Sequence, residues 1–172
     1  MKALIMLGMG GHTSQILRLV NLLDENYKYE YIIGHDDNTS VKKIKYPGKI
    51  HIIKNPRLMK NKSLVKVFFN MFPTTIGAIK ILLKSKPHAI ISAGPSMTIP
   101  TFWIAKLLGI KTIFLESWVR VHHKSQTGKL VYPITDLFIV QWHTMKKAYQ
   151  KAKYVGRLSW YLKYLNFKTK KQ

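Results

Sequence analysis

The residues with the clearest chemical potential in this chain lie in Gly8-Met9-Gly10-Gly11-His12, which follows the apolar run Ala3 to Leu7 and opens a helix-period segment. A strand, a glycine loop and a helix start in that order present backbone N–H groups at the positive end of a helix dipole, a setting that favours phosphate or another anion. His12 stands at the rim, where a neutral imidazole can accept a proton near physiological pH or simply cap and pack the loop. Glu116 comes directly after the buried-type run Thr112-Ile113-Phe114-Leu115. A carboxylate there can accept a bond from a sugar hydroxyl, orient a catalytic His, or form a structural pair with Arg120 or a nearby Lys. Asp136 opens a later strand and reads as a turn cap.

Positioning these groups requires alternating strands and helices, and short apolar runs do alternate with helix-period segments as in βαβ units with a parallel sheet. Strands are predicted at 3–7, 29–33, 50–54, 88–92, 111–115 and 136–140, with a short one at 153–155. Helices are predicted at 13–23, 63–84 and 97–108, and Pro73 is expected to divide the second. Ligands of open α/β sheets bind beyond the carboxyl ends of the strands. Three loops there, Gly8 to His12, Ser92 to Ser96 and Glu116 to Arg120, are expected to converge. The chain reads as one α/β domain over 1–158, followed by a basic, aromatic tail over 159–172.

Composition narrows the partners. With 29 Lys plus Arg against 7 Asp plus Glu, the 172 residues carry a formal charge of +22, which points to an anionic partner. So few carboxylates argue against a carboxylate metal cage. The absence of Cys removes disulfides and thiolate zinc sites and suits a cytosolic setting, and neither a metal nor a cofactor is expected. There is no signal peptide pattern, and the longest stretch without a charge, 87–105, holds three prolines and a glycine and makes a poor spanning helix. Lys54, Arg57, Lys60, Lys62 and Lys66 adjoin Val67 to Phe72, a cationic patch beside an apolar one that suits a membrane surface or a solvated edge over an ordinary core helix. In the tail, Trp160, Tyr161, Tyr164 and Phe167 interleave with lysines, as in an interfacial anchor or a stacking platform for single-stranded nucleic acid. A nucleic-acid-binding protein is therefore one alternative, though no recognised motif accompanies it. A nicotinamide-dinucleotide domain is another, with Asp36 where a ribose-binding acid falls, but Thr13 occupies the third glycine position.

Gly8 to Thr13 with Leu17-Arg18-Leu19, Pro56-Arg57, Ala93-Gly94-Pro95, Glu116-Ser117 with Arg120, Thr127-Gly128-Lys129, Asp136 to Trp142 and Val155 to Leu158 together resemble one family. It is the acceptor-side subunit of the two-component glycosyltransferases, the asparagine-linked glycosylation member fourteen of eukaryotes and its bacterial and archaeal polysaccharide-biosynthesis relatives. More distantly the chain is similar to the N-terminal half of the peptidoglycan lipid II synthase. The resemblance covers about 1–158. It implies a GT-B architecture split over two chains, this one supplying a Rossmann-like acceptor-binding half and a second subunit carrying the UDP-sugar, GlcNAc or a related hexose.

In the implied reaction, a hydroxyl of a polyprenyl-diphosphate-linked sugar displaces UDP with inversion and without an essential metal. His12 is the implied base and Glu116 its orienting or sugar-binding partner. Gly8, Gly10, Gly11, Thr13, Gly94, Pro95 and Ser96, with Arg57 and Arg120, would hold the acceptor and its diphosphate. Lys60, Lys62, Phe68, Phe69, Trp160 and Tyr164 would lie on an anionic membrane, at its cytoplasmic face. Eukaryotic relatives carry an N-terminal membrane helix that this sequence lacks, so a peripheral attachment is expected, with no nucleic acid. Ala93-Gly94-Pro95-Ser96 stands where relatives usually have Asn-Gly-Pro-Gly, which alters the polar groups expected at that loop.

Overall fold

In a computed structural model, described here for residues 1–23, 25–56 and 64–158 (backbone alone for 64–68), seven strands form one wholly parallel sheet. The strands are β1 (Lys2–Met6), β2 (Lys28–Gly34), β3 (Lys49–Ile53), β4 (Ala89–Ser92), β5 (Lys111–Leu115), β6 (Leu137–Val140) and β7 (Lys153–Tyr154). Their order across the sheet is β3-β2-β1-β4-β5-β6-β7. The order reverses direction between β1 and β4, which pair Ala3 with Ala89 through Met6 with Ser92. At such a switch point, the loops leaving the two neighbouring strands diverge to opposite faces and open a crevice.

Pleating sorts the side chains into two cores. Leu4, Met6, Ile32, Ile90, Phe114, Phe138 and Val140 pack beneath α2 (Leu64–Ser85) and α3 (Thr98–Leu107), while Ala3, Ile5, Leu7, Tyr31, Ile33, Ile91 and Leu115 pack beneath α1 (Gly11–Leu23). Helix α1 supplies Ile16, Leu17 and Val20 at helical spacing, so its amphipathic stripe fixes which way its first turn points. Two short helices absent from the sequence prediction, α4 (Gln126–Val131) and α5 (Met145–Ala148), close the far end of the first core.

Pro73 does not divide α2, which runs unbroken through it. The residue is exposed, so its ring lies on the solvent side of the helix and not in the core. Next to it, Thr74 is tied to the Lys54 carbonyl (2.7 Å) and Thr75 to the Met71 carbonyl (2.9 Å), while Ala78 and Leu82 are buried. Tertiary anchoring here outweighs a local penalty of about 3 kcal/mol.

Candidate functional site

The three expected loops do meet at the carboxyl edge, around the β1–β4 switch point. The β1–α1 loop contributes Gly8 to His12. Nothing lies within 4 Å of where a Cβ would stand on Gly10 or Gly11, so this part of the loop faces open space. The first turn of α1 begins there, and by helical geometry its leading N–H groups lack intrahelical acceptors. On the other side of the crevice, Gly94 has φ +109°, and a Cβ on it would come within 3.2 Å of the His12 ring. Only glycine gives the imidazole a flat backbone wall in that conformation.

The His12 ring is fixed by its Nδ1, 2.6 Å from the Ala93 carbonyl. A carbonyl only accepts, so Nδ1 carries the proton and the neutral ring keeps its lone pair on Nε2. The side chain is half-buried between two glycine loops, with one nitrogen held and the other available as a base. Ser96 reaches the Pro56 carbonyl (2.6 Å) and Asn55 Oδ1 (3.0 Å), which ties the exit of β3 to the mouth of the crevice. Pro95 is buried, and a Cβ on Gly8 would come within 2.8 Å of it, so Pro95 shapes the mouth from within.

Two expectations are corrected here. Thr13 is fully buried and turned inward, its hydroxyl bonded to the Gly8 carbonyl and 2.6 Å from the Ser40 hydroxyl. It holds the loop from beneath rather than meeting a ligand. Glu116 is 1% exposed and does not touch His12. Its Oε1 accepts from the Ser117 N–H (2.9 Å), and its Oε2 accepts from Tyr149 Oη (2.8 Å), Ser125 Oγ (3.0 Å) and the Ser125 N–H (3.3 Å). Burial and the neighbouring Glu116 charge push the Tyr149 hydroxyl pKa upward, which keeps it a donor. Gly128 explains itself in the same cluster, since a Cβ there would meet Glu116 Oε2 at 2.5 Å. The acid is the hub about which the 117–125 loop winds, and that loop carries Arg120 exposed beyond a turn closed by its N–H to the Ser117 carbonyl (2.9 Å).

Gln15 and Gln141, both buried, were not singled out from the sequence. Gln15 accepts from the Trp118 N–H (2.9 Å), and both amides approach the Glu116 carbonyl, at 3.4 and 3.0 Å, so they join α1, β5 and β6 beneath the crevice. The spacing of Gln15 from His12, one turn along the same helix, was the available signal. Arg57, Lys60, Lys62, Trp160 and Tyr164 lie outside the described residues, as does the Phe68 side chain. Phe69 is described and is 69% exposed. Among the described residues, no His, Asp or Glu groups assemble as a metal site, and no helix is long and apolar enough to cross a membrane.

Comparison with known proteins matches this chain to a family. The family model for "Oligosaccharide biosynthesis protein Alg14 like" matches residues 3–158. The UDP-N-acetylglucosamine transferase subunit ALG14 of Mus musculus is 34% identical, covering 92% of this chain and 83% of that protein. The corresponding subunit of Schizosaccharomyces pombe is 33% identical, covering 89% and 81%. In fold, the chain is similar to Acinetobacter baumannii MurG (TM-score 0.67, 18% identity, 83% of this chain and 42% of that one). It is similar also to the UDP-GlcNAc 2-epimerase of Methanocaldococcus jannaschii (TM-score 0.65, 16% identity, 88% and 43%). The architecture is thus that of one Rossmann-like half of a GT-B protein. From residue 3 to residue 158, the chain belongs to the Alg14-like oligosaccharide biosynthesis family, a family of glycosyltransferase subunits.

Proposed function

We propose that this chain is the acceptor-binding, membrane-associated subunit of an inverting glycosyltransferase that moves GlcNAc or a related hexose from a UDP-sugar, held by a second subunit, onto a polyprenyl-diphosphate-linked sugar. The observation that carries this reading is His12 between the two glycine loops, its Nδ1 on the Ala93 carbonyl. Nε2 takes the proton of the acceptor hydroxyl while that oxygen attacks the anomeric carbon, and UDP leaves with the bond's electrons. The N–H groups opening α1 and the exposed Arg120 supply donors for the acceptor's diphosphate. Glu116 acts at one remove, by fixing the loop that displays Arg120.

The membrane part of the reading rests on α2 and α3. Phe69, Phe72, Ile76, Ile79 and Leu83 repeat at alternating spacings of three and four along α2, and all are exposed. Trp103 and Leu107 extend an exposed apolar surface onto α3, Leu107 at 79%. Neither helix contains an Asp or Glu, and Lys80 and Lys84 are exposed on α2, while Lys106 on α3 is paired with Asp136. An apolar stripe beside the exposed Lys80 and Lys84 suits a leaflet rich in anionic lipid, where each surface cation contributes about 1 kcal/mol.

Reconstitution tests both parts. The chain together with a UDP-sugar-binding subunit should transfer sugar to a polyprenyl-diphosphate-linked acceptor, and the isolated chain should not. Phe72→Ser with Leu83→Ser should lower capture by anionic vesicles. Robust transfer by the isolated chain would overturn the two-subunit reading, and unchanged capture by the double variant would remove α2 from the membrane.

A further inference from the structure

Asp37 is one of only seven carboxylates in a chain of charge +22, yet it is 4% exposed and its partners are all hydroxyl or amide donors. One oxygen accepts from the Ser40 N–H (3.0 Å), the Thr39 N–H (3.1 Å) and Thr39 Oγ1 (3.2 Å), and the other accepts from Ser40 Oγ. With the Ser40 proton on Asp37, Ser40 Oγ can only accept from Thr13 Oγ1, 2.6 Å away, and the single Thr13 proton is shared between Ser40 Oγ and the Gly8 carbonyl. Ser40 and Thr13 are wholly buried. A chain of polar contacts therefore runs from the β2 exit, under the crevice, to the first residue of the glycine loop.

The crest of that loop needs such an anchor. Gly10 and Gly11 have no neighbours within Cβ contact, so packing does not hold them. The Gly10 carbonyl accepts from the Ser14 N–H (3.2 Å) and Ser14 Oγ (3.3 Å) within the same turn, so the ties from the loop to the rest of the molecule lie at its ends, Thr13 on Gly8 below and His12 on Ala93 above. Glycine-rich backbone left to itself samples many conformations, and a base displaced by about 1 Å can lose about a hundredfold in rate. Buried polar networks that are fully satisfied rigidify what they touch.

We infer that Asp37 is a positioning residue: through Ser40 and Thr13, its carboxylate sets the Gly8–His12 loop and hence the placement of the catalytic His12. This rests on the reading of His12 as the base. The two rest on different observations, and their failures are separable.

The test uses the reconstituted two-subunit complex, with His12→Ala as reference, and measures kcat, acceptor KM and amide exchange at Gly10 to His12. Asp37→Asn and Ser40→Ala should lower kcat about tenfold and speed exchange in the loop. The pair Thr13→Val and Thr13→Ser separates positioning from packing. Valine keeps the shape and loses the hydroxyl, so it should be slower and faster-exchanging than serine. A packing role predicts the opposite order. Should Asp37→Asn fail to fold, Ser40→Ala and the Thr13 pair decide alone. Wild-type exchange and kcat in Ser40→Ala, or valine outperforming serine, would overturn the inference. A His12→Ala variant with undiminished kcat would instead overturn the base assignment, and the exchange data would still judge the anchor.

Discussion

The loop that ends in His12 and the loop that begins at Glu116 both leave the carboxyl edge of the sheet, but they use their titratable side chains in opposite ways. The first keeps its imidazole half-exposed, steadies it on a backbone carbonyl, and lines the surrounding wall with glycine. The second buries its carboxylate under four donated bonds and leaves its arginine outside. A residue type suited to catalysis is thus left accessible in one loop and built into scaffolding in the other. Access decides which: a base must reach substrate, and a carboxylate sealed at 1% exposure cannot.

His12→Ala should produce the largest effect and tests the first half of that contrast. In the complex, turnover at saturating acceptor should fall by about 10²- to 10⁴-fold, with assembly intact. Near wild-type turnover would make both loops scaffolds. Glu116→Gln tests the second half. The amide keeps the volume but turns donors toward donors, so stability should fall by about 3 kcal/mol in urea unfolding. In the folded fraction, acceptor KM should rise more than kcat falls, because the 117–125 loop and Arg120 lose their hub. A folded, fully stable variant with lost kcat would return Glu116 to catalysis.

The sequence showed this edge of the molecule unevenly, and the reasons are physical. The central strands were visible because a parallel sheet buried on both faces demands short continuous apolar runs, whereas the edge strands β3 and β7 are largely exposed and rested on their place in the strand–helix alternation. His12 and its loop were visible because a glycine loop between strand and helix has few other uses. Glu116 was visible as a position and invisible as a direction, since its donors Ser125 and Tyr149 come from 9 and 33 residues away. Asp37 was hidden for the same reason, its link to Thr13 passing through Ser40, a residue with no local signature. Pro73 misled because a local rule about helix interiors cannot see the Lys54 carbonyl that holds Thr74.

Asp136 supplies a third carboxylate that sharpens the comparison, because a cation takes part in holding it. Lys106 Nζ lies at 2.8 Å, and Thr112 donates from its N–H and its Oγ1, each at 2.9 Å. Burial pushes this carboxyl up, but the bonds from Lys106 and Thr112 outweigh it and bring the pKa down to about 2. The folded value lies below the unfolded one, about 3.9, so between them the unfolded chain binds more protons. The stabilisation, about 2 kcal/mol, is present above pH 4 and lost as pH falls toward 2. Asp136→Asn should therefore cost about that much at pH 6 and little at pH 2, as read by urea unfolding at the two values. A cost independent of pH would show that shape rather than charge holds the β5–β6 base.

Tyr149→Phe is the mildest probe and bears most directly on the difference between the loops. The ring stays packed against Phe138 and Tyr132, at centroid distances of 4.4 and 4.8 Å, so only the hydroxyl is removed. Glu116 Oε2 keeps both Ser125 donors, and no buried donor is orphaned, so the loss should be about 1 kcal/mol. A scaffold missing one of several supports should tolerate this with kcat unchanged and acceptor KM raised no more than a few-fold. The His12 ring has no such redundancy, because its Nδ1 rests on one carbonyl. Steady-state rates and melting curves on the same preparation of the complex would decide it. A fall in kcat approaching that of His12→Ala would mean that the Tyr149–Glu116 bond reaches the reacting groups, and the two loops would then form a single catalytic unit.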